Sequence, residues 1–227
     1  MKVLFKSITE RIITGMAMGF VFWIVFMQLP TICFSLILSF VLFKVLTVEW
    51  PKFFDYRQAP FWLLMPFYPI IPFLCMIYMN QHAAYRELLF LLFVIIPAHD
   101  TGSYIFGSVF GRKKIAQNIS AGKTWEGFFG GYFSACISIC MLLYGQGKTI
   151  EWGFLLPLTF ILCVLGLLGD LFESWLKRRV QIKDSGSSLP GHGGYLDRFD
   201  GIMFAAIFFF IFRAELLKHF GLFVKLC

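Results

Sequence analysis

The stretch FLLPLTFILCVLGLLGDLF, Phe154–Phe172, contains a single charged residue, Asp170. A helix on the surface of a soluble protein alternates apolar and polar faces, and this one would be apolar all round. About 20 mainly apolar residues make a helix long enough to cross the hydrocarbon of a bilayer. Six further runs read the same way: Ile12–Leu29, Ile32–Leu46, Phe61–Tyr78, Leu88–Phe106, Phe128–Tyr144 and Ile202–Leu217. The expected fold class is therefore all-α, a polytopic integral membrane protein with about seven transmembrane helices. Residues 1–227 are expected to form one domain. Ile32–Leu46 is short, and Pro66, Pro69 and Pro72 predict a kinked or broken helix in the third run.

Composition agrees. Of 227 residues, 59% are hydrophobic and 15% charged, with a mean hydropathy of +0.76. A soluble domain carries about 25% charged residues. Thirty Phe residues would leave large apolar patches facing water. The net charge of +7 reads as membrane topology and phosphate recognition rather than nucleic-acid binding. The cysteines, Cys33, Cys75, Cys136, Cys140, Cys163 and Cys227, form no CxxC pair and are read as small hydrophobes.

Lys and Arg mark the cytoplasmic side of a membrane protein. With the N-terminus inside, 15 of the 20 fall on one side, among them Lys44, Lys52, Arg57, Arg112, Lys123, Lys177 and Lys183. The other side receives five: Arg86, Lys148, Arg213, Lys218 and Lys225. The first run is expected to be retained, since no small-x-small cleavage site follows it. The polar chemistry is confined to two cytoplasmic loops, near Gly107–Gly127 and Glu173–Gly201, and to the adjoining helix ends.

The first polar segment holds His99, Asp100, Thr101 and Ser103, then Gly111-Arg112-Lys113-Lys114 and Ser120-Ala121-Gly122-Lys123-Thr124. Asp100 lies within or beside the membrane, where an ionisable group needs a partner, water or a cation. Residue 117 is Gln where a P-loop requires Gly, and no strand precedes it, so a Walker site is rejected. The segment still offers Lys123, hydroxyls and backbone N–H groups to an anion. Alternatively, Thr124 and Glu126 only begin a helix.

The second segment runs from Gly169-Asp170 through Ser174, Lys177-Arg178 and Lys183-Asp184 to Pro190-Gly191-His192-Gly193-Gly194 and Asp197-Arg198-Phe199-Asp200. Here the chain resembles the phosphatidate cytidylyltransferase family, whose signature is S-x-x-K-R, four residues, K-D, then P-x-H-G-G-x-x-D-R-x-D. Ser174, Lys177, Arg178, Lys183, Asp184, Pro190, His192, Gly193, Gly194, Asp197, Arg198 and Asp200 occupy it in register. Asp100, Thr101, Tyr104, Ser120 and Lys123–Gly127 are similar to a second stretch of that family. Ser103, Ala121 and Gly122 depart from its usual Ala, Pro and Lys, leaving one positive charge fewer.

The resemblance implies transfer of a cytidylyl group from CTP to phosphatidate, giving CDP-diacylglycerol and pyrophosphate. Bringing two phosphate-bearing anions together requires divalent metal and Lys or Arg. Expected metal-holding residues are Asp100, Asp170, Asp197 and Asp200, for Mg²⁺ or another divalent cation, with room for a second ion. Asp197, Asp200, Lys183 and His192 are the expected catalytic residues. Ser174, Lys177, Arg178, Asp184, Arg198, Ser120, Lys123 and Thr124 are expected to bind substrate. His192 could equally be a structural hydrogen-bonder, and Asp197–Asp200 only an acidic helix start. Expected partners are CTP, phosphatidate and membrane lipid, with a homodimer compatible and no nucleic acid. The expected location is the inner membrane of a bacterium, with the N-terminus and both polar loops cytoplasmic. Two rivals are a related CTP transferase acting on an isoprenoid ether lipid, and an ion-coupled transporter using Asp100 and Asp170.

Overall fold

The structure is a computed structural model and describes residues 19–147, 151–186 and 193–220. Helix α1 covers 19–27. Helix α2 (Thr31–Lys44) runs through a π-helical turn, Val45–Glu49, into the short α3 (Trp50–Phe53). Helices α4 (Ala59–Met65) and α5 (Ile71–Gln81) are joined by a second π-turn, Pro66–Ile70. Then follow α6 (Ala83–Phe110), a hairpin of β1 (Lys114–Ala116) and β2 (Ser120–Thr124), α7 (Trp125–Gly145), α8 (Trp152–Arg179) and α9 (Leu196–Phe220).

Among the described residues, five helical stretches are long and apolar enough to cross a membrane: Thr31–Phe53, Ala59–Gln81, Ala83–Phe110, Trp125–Gly145 and Trp152–Arg179. The expected count of seven is not confirmed. The first expected span lies partly outside the described residues. The last sits within α9, which carries Asp197, Arg198 and Asp200 at one end and Arg213, Glu215 and Lys218 towards the other. Outward faces carry exposed Phe40, Phe43, Phe67, Phe129 and Phe133, side chains suited to lipid contact.

Two readings of single runs change. The second run does not stop at Leu46, because the chain continues helical past Glu49 to Phe53. A π-turn carries that extension and turns the Glu49 side chain fully inward. In the third run, Pro66 and Pro69 lie in the second π-turn, and Pro72 sits just beyond it. Prolines lack the N–H that an α-helical turn needs, so the ladder widens without breaking. The first polar loop is also partly ordered as an antiparallel hairpin, pairing Lys114 with Thr124 and Ala116 with Ser120.

Small residues set the spacing of the central helices. Helices α6 and α7 cross where a side chain on Gly131 would strike the Ser103 hydroxyl and the His99 carbonyl. Likewise Gly130 faces Phe106, and Gly102 faces Ser134. Backbones approach this closely in membranes because lipid gives no hydrophobic gain for burying larger side chains between helices. Leu88, Leu92, Ile95, Ile96, Ile139 and Phe209 fill the interior and are essentially inaccessible.

Far from the polar end, each of two arginines is held by a carbonyl and an aromatic ring. Arg86 donates to the Phe26 carbonyl and lies over its ring. Arg213 donates to Phe210 O and lies near Tyr78, Tyr85 and Phe210.

Gly169 on α8 abuts the Asp200 carbonyl of α9, and its added Cβ would also sit 3.2 Å from Gly201 Cα. Gly169→Ala should therefore destabilise the protein by about 1–3 kcal/mol. Melting of the detergent-purified protein checks this, with Gly153→Ala as the control, since nothing lies within 4 Å of a Cβ there.

Candidate active site

The chemistry-bearing residues gather at one end of the bundle, from the later part of α6, the hairpin, the end of α8 and the start of α9. On α6, the buried His99 ring places Nδ1 3.3 Å from Asp100 Oδ1 and Nε2 3.3 Å from Ser103 Oγ. Asp100, 42% exposed at its side chain, opens onto a cavity of about 210 Å³. Ser120, Gly122, Lys123 and Thr124 line the same cavity from β2.

Lys123 reaches across to α8 and donates to Asp170 Oδ2. Burial alone would lower its pKa. The charge of Asp170, with Asp100 and Asp200 beyond, more than offsets that and holds the ammonium above its ordinary range. Asp170 Oδ1 and Asp100 Oδ2 converge on the α9 backbone: a Cβ built on Gly201 would lie 3.0 Å from the first and 3.6 Å from the second. Asp200 accepts the Gly201 N–H at 2.9 Å and faces both Asp170 and Glu173.

A second group surrounds Lys177, which donates to Glu173 Oε2 at 2.7 Å and to Asp197 Oδ1 at 2.8 Å. Asp197 Oδ2 accepts the N–H groups of Gly194 at 2.7 Å and Ser185 at 3.0 Å, and the Ser185 hydroxyl at 3.0 Å. Gly193 closes this turn at φ +77°, where a Cβ would lie 2.5 Å from Asp197 Oδ2. Because α9 begins at Leu196, Asp197 and Asp200 do share its first turns. Lys177 holds Asp197, whereas Asp200 lies between the two groups, near Asp170 and hydrogen-bonded to Glu173.

The remaining expected site residues are placed as follows. Thr124 caps α7, its hydroxyl accepting the Gly127 N–H at 3.1 Å, so the helix-start reading holds for that hydroxyl. Arg178 is exposed and donates to the Ile119 carbonyl, tying α8 to the hairpin. Lys183, Asp184 and Arg198 are exposed, and Ser174 is half-buried on α8. His192, with Pro190 and Gly191, lies outside the described residues.

Sequence reasoning missed two residues. Glu49, fully buried, accepts from Tyr195 N, Leu196 N and the Ser185 hydroxyl. Its only signal was a lone acid beyond an apolar run, before Trp50-Pro51. Tyr68, from the second π-turn, packs against Phe172 and Phe204 with its hydroxyl buried and without a partner.

Among the described residues, no three His, Cys, Asp or Glu side chains are grouped so as to hold a metal ion. The four expected aspartates therefore do not form one cage, and Asp197 is engaged by protein donors. Asp100 and Asp170 still suit Mg²⁺, which takes one or two carboxylates and completes its shell with water and substrate phosphates. Beside them the buried Glu173 lies against Asp200, two acids close enough to need a shared proton or a cation.

Helical spans with carboxylates, lysines and hydroxyls gathered at one end define an integral membrane protein equipped to handle phosphate-bearing substrates. Residues 3–216 match the model of the cytidylyltransferase family, and the chain belongs to that family. It is 38% identical over 182 residues to a phosphatidate cytidylyltransferase of Staphylococcus aureus (strain COL), covering 80% of this chain and 68% of that protein. A phosphatidate cytidylyltransferase of Staphylococcus saprophyticus is 39% identical over 183 residues, with the same coverage.

Removing one member of a buried ion pair leaves the other unpaired. Lys123→Met should cost about 3 kcal/mol, near the low end for a buried pair, because the Lys123 side chain stays 25% exposed. Lys123→Met with Asp170→Leu should recover part of the loss, as read by detergent melting.

Proposed function

We propose that this chain transfers a cytidylyl group from CTP to phosphatidate, releasing pyrophosphate and CDP-diacylglycerol. The observation that carries the reading is the convergence of Asp100, Asp170 and Lys123 beside an open cavity at the polar end. The signature residues on α8 and at the start of α9 adjoin it. A transporter has no need of a cytidylyl-transfer signature, and an isoprenoid lipid would differ only in the acceptor.

In this reading a lipid phosphate oxygen attacks the α-phosphorus of CTP, and pyrophosphate leaves from the opposite side. Arg178, Lys183 and Arg198 are exposed at the polar end and meet the phosphates. Lys123 balances charge beside Asp170, and Lys177 fixes Asp197 and Glu173. Asp100 and Asp170 would hold Mg²⁺, with Asp200 next to them. The ion's chemistry there would be to neutralise charge developing on phosphate oxygens. The 15-to-5 asymmetry of Lys and Arg supports a cytoplasmic polar end, and the staphylococcal relatives support a bacterial membrane.

Purified protein given CTP, phosphatidate and Mg²⁺ should release pyrophosphate, and should release none with CTP alone. An isoprenoid ether-lipid phosphate giving the higher rate would transfer the assignment to the rival lipid. Chelation should abolish turnover, with Mg²⁺ restoring it. Asp200→Asn should lower kcat about 100-fold or more, in line with loss of one oriented transition-state charge, while the protein stays folded. Near-normal turnover would remove Asp200 from the site.

Sidedness is tested separately. In a cysteine-free background, a membrane-impermeant thiol reagent applied to intact cells should label cysteine placed at 148 and not at 183. The reverse pattern would invert the orientation.

A further inference from the structure

We infer that Glu49 is a positioning residue for the transfer reaction, holding the Asp197 carboxylate in place through Ser185 and the first backbone N–H groups of α9. The inference rests on the cytidylyl-transfer reading and extends it to a helical segment remote in sequence from both polar loops.

Glu49 is fully buried and takes only neutral donors: Tyr195 N at 2.8 Å, Leu196 N at 2.8 Å and, at 3.1 Å, the Ser185 hydroxyl, whose single proton it shares with Asp197 Oδ2. A carboxylate is costly to bury, and hydrogen bonds from a helix N-terminus are among the few neutral contacts that stabilise it there. The benefit runs both ways, because the first N–H groups of a helix lack partners within it. Glu49 thus supplies, from a residue 147 positions away in sequence, an acceptor for the start of α9.

Ser185 is the link. Its hydroxyl lies between Glu49 Oε2 and Asp197 Oδ2, and its N–H donates to the same Asp197 oxygen. Its carbonyl accepts from Lys52 Nζ at 2.7 Å, one turn beyond Glu49. Every polar atom of Ser185 is therefore held, by the Glu49–Lys52 segment on one side and by Asp197 on the other. The absence of side chains at Gly186 and Gly194 permits this. A Cβ on Gly194 would come within 2.6 Å of Glu49 Oε1, and one on Gly186 within 2.8 Å. Glu49 consequently grips the chain on both flanks of the glycine-rich part of the signature, at Ser185 and at Tyr195–Leu196.

The π-turn makes the reach possible. Residues Val45–Glu49 follow a helix that would otherwise continue in regular α form, and π-turns rotate the following side chains relative to that path. Val45 and Glu49 are the buried members of the turn, and Trp50 behind them is fully buried.

Kinetics of detergent-purified full-length protein, together with amide hydrogen exchange, test the inference. Glu49→Ala should lower kcat about 10- to 100-fold, the usual loss when a supporting hydrogen-bond partner is removed. KM for CTP should stay near its wild-type value, and Glu49→Gln should recover part of kcat. Amide exchange in Glu49→Ala should rise at 185 and 194–197 while α6 and α7 keep their protection. Adding Ser185→Ala should cost less in the Glu49→Ala background than in wild type, because the two act through one chain of contacts. Unchanged kcat in Glu49→Ala, or unchanged exchange at 185 and 194–197, would overturn the proposal. Wild-type protein that released no pyrophosphate would count against the reaction assigned above, and exchange would still decide whether Glu49 holds this segment. Should Glu49→Ala not fold, the comparison of Glu49→Gln with wild type carries the same two readouts.

Discussion

Six acidic side chains, Glu49, Asp100, Asp170, Glu173, Asp197 and Asp200, crowd one end of this helical bundle, and two ammonium groups pair with them directly. Lys123 serves Asp170, and Lys177 bridges Glu173 and Asp197. Stacking negative charge in a poorly hydrated place is among the most expensive arrangements a protein can adopt. Neutral donors absorb part of it: helix N–H groups for Glu49, turn N–H groups and a serine for Asp197. The Asp100–Asp170–Asp200 side sets three carboxyl groups against one lysine. In the proposed chemistry a divalent cation would balance that cluster.

Glycines make the arrangement geometrically possible. Gly169 lets α8 lie against the Asp200 carbonyl, and that contact brings Asp170 next to Asp200. Gly131 lets α7 lie against Ser103 and the His99 carbonyl, fixing the α6 segment that carries Asp100. Helix spacing and site geometry are one property here. A methyl group at either position would separate the carboxylates as well as loosen the packing.

Much of this was legible in the sequence because apolar length is a direct physical requirement of the bilayer. The runs Phe128–Tyr144 and Phe154–Phe172 fall inside α7 and α8, and the three prolines of the third run foretold its irregular turn. The signature residues could be placed in order, and Asp100 with Asp170 was singled out as ionisable within apolar surroundings. What stayed hidden was partnership. Glu49 lies just past a short apolar run, and nothing in a linear reading links it to Ser185 or Leu196. The hairpin was hidden too: Ser120-Ala121-Gly122-Lys123-Thr124 has no alternation of apolar and polar residues, and its pairing with Lys114–Ala116 is local. Equally, Asp197 and Asp200 are one helical turn apart in sequence, whereas packing sets Asp197 against Lys177 and Asp200 between Asp170 and Glu173.

Division of the cations into two sets has a consequence for how phosphate charge is met. Lys123 and Lys177 are engaged by carboxylates and cannot bind a phosphate without loosening those pairs. Arg178, Lys183 and Arg198 are exposed and carry charge towards solvent. On the proposed reading, an incoming triphosphate meets the exposed set first, and any metal arriving with it competes with Lys123 for Asp170. The departure at Gly122 sharpens this competition. The related family stretch has Lys there, whereas this chain has a glycine with nothing within 4 Å of a built Cβ, lining the same cavity as Lys123. Lys123 is thus the only cationic side chain lining that cavity among the described residues. Phosphate charge in the cavity must then be met by Lys123 together with cations from outside its walls, so the balance between Lys123 and Asp170 weighs more heavily here than in a site with two adjacent lysines.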